Sequence, residues 1–186
     1  YNLVESGREQ PLTTHGDRFD DNRSYSTASY YKGGLFLTQL EYLIGRENTR
    51  KTLKRFFNEF KFRHPTPNDI KRTAERVSGA ELDWYLTDWT KTTNTIDYAI
   101  KSFENNAISL ERIGRTPMPI DILVEYTDGS KESFYIPLKM MYFQKENPSP
   151  TIKRTVLKDW SWAEQTYTLQ LPNQSTVKKI TIDPSG

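Results

Sequence analysis

The chain has 186 residues, about a third of them hydrophobic and 13% aromatic, with 26 basic against 24 acidic side chains for a net charge of +2. That length and composition suit one large domain or two small folded ones, and they argue against disorder. The near balance of charge supplies no basic domain for nucleic acid. The absence of cysteine removes disulfides, thiolate metal sites and thiol catalysis.

In chain order, residues 1–28 are polar, with Pro11, Gly16 and an Asp20-Asp21-Asn22 cluster, and read as a short helix plus a long connection whose acids are solvated turns. From Tyr30 to Ile44 the apolar positions Phe36, Leu40, Leu43 and Ile44 fall on one helical face, and Gly45 suits the stop. Leu53, Phe56, Phe57 and Phe60 give a second helix its expected buried face. Thr66-Pro67-Asn68-Asp69 starts a third, with a threonine cap, a proline in the first turn and an acid near the positive end of the dipole. Ile70, Ala74 and Val77 line it and Gly79 ends it, and Leu82, Tyr85, Leu86 and Trp89 form the stripe of a fourth. Four short helices joined by short turns predict a small antiparallel bundle.

After Thr92-Thr93-Asn94-Thr95 the apolar period changes from near 3.6 to 2. Alternation at Ile96, Tyr98 and Ile100, at Ile108 and Leu110, at Ile120 to Tyr126 and at Phe134 and Ile136 predicts strands. Tyr167 to Leu171 and Ile180 with Ile182 add two more. Asp128-Gly129 is a hairpin turn, and the stretch from Lys139 to Trp162, with Pro148 and Pro150, reads as an irregular loop. The predicted class is α+β: a helical domain over 1–93, then an antiparallel β-sandwich over 94–186. No apolar run reaches the ~20 residues of a membrane helix. Tyr1-Asn2-Leu3-Val4 has neither an initiator methionine nor a signal-peptide layout, so the ends read as cut and the compartment is unreadable.

Chemistry-bearing residues are sparse. The two histidines, His15 and His64, lie far outside the i, i+4 spacing that places two imidazoles on one helical face, and both read as surface residues. There is no G-x-S-x-G, and Gly33-Gly34 lacks the spacing of a phosphate loop. Lys51, Lys54 and Arg55, with Lys71 and Arg72, read as solvated basic faces. Trp160 and Trp162, with Tyr142 and Phe143, suit either an exposed platform for sugars or peptides or, more simply, a plug at the end of the β core. Tyr30, judged on its own, reads as a half-buried core aromatic at a helix start.

Three segments in order change that weight: Ser29-Tyr30-Tyr31-Lys32-Gly33, then Phe60-Lys61-Phe62-Arg63-His64-Pro65-Thr66-Pro67-Asn68-Asp69, then Val77-Ser78-Gly79-Ala80-Glu81-Leu82-Asp83-Trp84 with Trp89. Together they resemble the part of gluzincin-class zinc aminopeptidases that follows the H-E-x-x-H helix. Pro117-Met118-Pro119-Ile120-Asp121 and Ile182-Asp183-Pro184-Ser185-Gly186 look like the β-domain of bacterial members. The resemblance implies the C-terminal fragment of an enzyme that removes N-terminal residues from peptides. In that enzyme a tyrosine phenol, protonated at neutral pH, steadies the oxyanion beside zinc while a glutamate outside this sequence activates water. By motif that tyrosine is Tyr30, with Tyr31 in the variable position. H-E-x-x-H is absent here, so the resemblance implies no zinc held by this chain and no activity on its own. Its partners are then the missing N-terminal catalytic segment and, in the parent, the peptide substrate, and the sandwich braces the enzyme. The other reading is a non-catalytic peptidase-like scaffold whose sandwich binds peptide or carbohydrate.

Overall fold

The computed structural model describes residues 2–184, so Ser185 and Gly186 of the closing motif lie outside the described residues. Its contacts divide the chain into a helical unit, residues 1–94 with 141–145, and a β unit, residues 95–140 with 146–186.

The helical unit begins with a short helix α1 (Asn2–Glu5) and a single 3-10 turn (Gly16–Arg18). Helical structure then starts earlier than the apolar pattern predicts. Asp21, expected as a solvated turn, is an N-cap: its Oδ1 accepts from the Ser24 amide at 2.7 Å, opening α2 (Asn22–Ser26). A π-helical stretch (Thr27–Lys32) joins it to α3 (Gly33–Ile44), and Gly45, at φ +81°, ends the run. Ser24, Ala28, Phe36, Leu40 and Ile44, four or eight residues apart, form the inner stripe, and Lys32 falls on the same spacing.

Helix α4 (Arg46–Phe60) departs from its predicted packing. Thr49 and Thr52 are its buried residues, whereas Leu53 and Phe57 face solvent and Phe56 and Phe60 are half-buried against each other. The inward arc carries Thr49, Thr52, Phe56 and Phe60, and Leu53 and Phe57 lie just outside it. Thr49 avoids the cost of burying a hydroxyl by donating to the Gly45 carbonyl at 3.0 Å. Helix α5 (Pro67–Ser78) carries the full Thr66–Asp69 capping box and ends at Gly79 in the left-handed region. Helix α6 (Asp83–Lys91) returns to α3, with Tyr85 stacked on Phe36 at 4.9 Å between ring centroids. Full burial of Leu40, Leu43, Ile44, Leu82 and Tyr85 is worth roughly 1.5–3 kcal/mol per side chain and holds α3 and α6 in the core.

The β unit contains two sheets, in strand orders β1-β2-β6 and β5-β4-β3-β7. The strands are β1 (Tyr98–Glu104), β2 (Ala107–Arg112), β3 (Ile120–Tyr126), β4 (Lys131–Ile136), β5 (Arg154–Val156), β6 (Thr166–Gln170) and β7 (Val177–Ile182). Ile108 opposite Leu169, with Leu110, is buried in one sheet; Ile122 opposite Phe134, with Val124 and Ile136, is buried in the other. All pairings are antiparallel except one. β5, inside the stretch expected to be an irregular loop, runs parallel to β4 with Phe134 opposite Thr155, so the second sheet is mixed. Three residues are too few to show a period, which hid this strand in the sequence.

Candidate functional site

Tyr30 sits in the π-helical stretch. The Gly33 amide donates to the Ala28 carbonyl five residues back, so one extra residue is accommodated in the turn. Such turns occur often at functional sites, because they re-aim side chains without breaking the helix. Tyr30 and Tyr31 are each 73% exposed, on the face opposite the inner stripe. The core reading of Tyr30 is therefore incorrect: the buried stripe passes through Ala28 and Phe36 and leaves both phenols outside.

The turn is anchored from beneath by Lys32. Its ammonium meets Glu9 Oε1 at 2.5 Å and lies 3.4 Å from the Thr92 carbonyl, with both charged side chains nearly nine-tenths buried. The ion pair ties the tyrosine-bearing turn to the N-terminal segment and to the end of α6. A pair held this far from water draws more strength from its charges than a surface pair does. Nothing in the sequence marks it, because Glu9 is 23 residues from Lys32 in a polar stretch. On the outer face, a Cβ added to Gly33 or Gly34 would meet no atom within 4 Å. The two glycines thus leave clear space on the helix beside the phenols.

The residues suited to a metal lie elsewhere. Among the described residues, Glu75, Glu81 and Asp83 place one carboxylate oxygen each within 4.8 Å of one another. A cation already serves two of them: Lys71 Nζ hydrogen-bonds Asp83 and lies 3.5 Å from Glu75. Burial would lower the Lys71 ammonium, but the hydrogen bond to Asp83 and the charge of Glu75 outweigh it and raise the group above its ordinary value. The Lys71 hydrogen bond likewise holds Asp83 below its own. Lys71, expected on a solvated face, is instead 9% exposed and joins α5 to α6. His15 is exposed and uses Nδ1 to accept from the Asp17 amide at 3.3 Å, and His64 is exposed on a turn. An all-carboxylate trio, two of whose members pair with an ammonium, does not fit zinc, which prefers imidazole and thiolate donors.

In the β unit, Trp160 is 4% exposed, packed edge-on to Tyr98 and tilted against Tyr167, each at 5.4 Å. It is a core plug. Trp162 is half exposed with the Arg112 guanidinium 5.1 Å from its ring. The burial of Trp160 removes one member of the expected aromatic platform, while Trp162 and Tyr142 are exposed.

Residues 4–89, most of the helical unit, match the model of the peptidase family M1 domain. That segment holds the π-helical turn, helices α2 to α5 and all of α6 but its last two residues. Over 80 residues the chain is 26% identical to "Probable aminopeptidase 1" of Saccharolobus solfataricus and 25% identical to the protein of the same name from Sulfurisphaera tokodaii. Each alignment covers 42% of this chain and 10% of the relative, so the matched part spans about a tenth of the relatives' length. The helical unit is peptidase-related.

Proposed function

We propose that this chain is the C-terminal part of a zinc-dependent aminopeptidase of the gluzincin class and bacterial type. Its helical unit would complete the catalytic domain, and its β unit would serve as a bracing domain. The observation that carries the reading is the exposed phenol of Tyr30, held on a buried ion-paired turn inside the segment similar to peptidase family M1.

A peptide carbonyl attacked by water becomes an oxyanion. A protonated phenol fixed in place can donate a hydrogen bond to it as the charge develops, and such a donor is worth ~10²–10³ in rate. Tyr30 is free to do this because its face of the helix is unoccupied and the following glycines leave room for substrate backbone. The Lys32–Glu9 pair supplies rigidity to the turn. Zinc would act as the Lewis acid of the reaction, held by residues other than those of this chain, whose donor set does not suit it. On this reading the chain alone neither holds catalytic zinc nor cleaves peptides.

The test is Tyr30→Phe in the longer enzyme. Turnover should fall by ~10²–10³ with zinc content unchanged. Near-normal turnover, or zinc-dependent cleavage of an aminoacyl reporter by the 186-residue chain alone, would refute the proposal.

A further inference from the structure

The outer face of α4 and the turn after it combine positive charge with exposed apolar side chains. Between Arg46 and Arg63 the sequence has seven basic residues and two acidic ones, while the whole chain is only +2. Glu47 is shared by Arg50 and Lys51, and Glu59 faces Arg55 and Arg76. Arg46, Lys54, Lys61 and Arg63 are exposed and make no ion pair among the described residues. On the helix, Arg46, Arg50 and Lys54 share one strip with Leu53 and Phe57, and both apolar side chains are open to water, Phe57 by 66%.

Phe62 follows just beyond the helix. It is fully exposed, lies between Lys61 and Arg63, and has φ +63°, a backbone region that bulky L-residues rarely adopt. A conformational cost is borne there with no burial in return within the chain. Outliers of this kind are retained where the surrounding structure uses them.

From this charge complementarity and protrusion we propose that α4 and the turn Lys61–His64 form a peripheral binding surface for an anionic lipid membrane. Basic residues flanking exposed leucine and phenylalanine are the composition that lies in a bilayer interface, with rings among the acyl chains and ammonium and guanidinium groups at the phosphates. A protein partner would need a pocket shaped to a wholly uncovered Phe62, whereas a lipid interface adapts to it. The surface would hold the chain at a bilayer without a spanning segment. It uses neither Tyr30 nor the β unit, so it stands or falls apart from the catalytic reading.

The experiment is flotation of the whole chain with vesicles of phosphatidylserine and phosphatidylcholine, against phosphatidylcholine alone, at low and high salt. The chain should float with the anionic vesicles, and high salt should release it. Lys54→Glu/Lys61→Glu/Arg63→Glu should weaken partitioning by about tenfold or more. Phe57→Ser/Phe62→Asn should weaken it as well, with melting unchanged, since asparagine tolerates positive φ and both phenylalanines are exposed. Equal partitioning to neutral vesicles, no partitioning at all, or undiminished binding by either variant would overturn the proposal. So would variant-sensitive capture of an acidic peptide without vesicle binding, which assigns the surface to a protein. Binding by this chain that disappears in the longer protein would likewise overturn it, by showing a face covered internally.

Discussion

The two units differ in how many of their aromatic residues they bury. In the β unit Tyr126, Phe134, Tyr135 and Trp160 are buried, the last packed between Tyr98 and Tyr167, while Phe103 and Trp162 are partly exposed. In the helical unit Phe36 and Tyr85 form the core, while Tyr30, Tyr31, Phe57 and Phe62 face outward with Leu35 and Leu53. A sheet pair closes over its side chains, so an added atom has nowhere to go. A helix with one packed face leaves the other free for a substrate, a further segment or a membrane. The helical unit thus carries more large aromatic side chains open to water than the β unit does.

Three substitutions sharpen this contrast, in decreasing order of effect. A Cβ on Gly114 would meet the Thr95 carbonyl oxygen at 2.3 Å and the Asp97 amide nitrogen at 2.6 Å, where backbone groups cannot swing away. Gly114→Ala should therefore cost the β unit on the order of 3 kcal/mol in chemical denaturation. Lys71→Met should cost the helical unit about 2 kcal/mol, by leaving Glu75 and Asp83 without their cation beside Glu81 while Asp83 keeps contact with water.

The pH dependence of that second loss follows from the shifts. Asp83 is depressed below its ordinary 3.8, so its contribution is present above that value and fades as pH falls through the lower folded value. Lys71 is raised above 10.5, so its share is present below that pH and fades as pH rises through the folded value. The variant's deficit, read by denaturation across pH, should thus be widest between the two and shrink toward both extremes.

The smallest effect has the opposite sign. Gly34→Ala, in open space within a helix, should stabilise the chain by about 0.5–1 kcal/mol, because glycine there costs that much relative to alanine. A destabilising result would show that the outer face of α3 is packed in solution, and the contrast between the units would fail.

Much of the fold was legible in the sequence. Gly79, the Thr66–Asp69 box and the Asp128-Gly129 turn each stand where local chemistry puts them, since caps and hairpin turns depend on a few adjacent residues. Asn105 and Asn106, both at positive φ between β1 and β2, carried a hairpin signal that the alternation of larger residues obscured. The packing of α4 was not legible. Of its apolar set Phe56 and Phe60 are half-buried beside Thr49 and Thr52 while Leu53 and Phe57 are exposed, because periodicity reports that an amphipathic face exists and not which neighbour covers it. At the site, the motif singled out Tyr30, but neither the π-helical turn nor the Lys32–Glu9 pair can be read from spacing, as both arise from tertiary contact.

Tyr30 and Tyr31 are equally exposed, so geometry alone treats the two phenols alike and the motif distinguishes them. The most direct test compares Tyr30→Phe with Tyr31→Phe in the longer enzyme, by kcat and KM on an aminoacyl reporter. The account predicts a loss of ~10²–10³ in kcat for Tyr30→Phe and at most a few-fold change for Tyr31→Phe. Equal losses, or the larger loss at Tyr31, would contradict it.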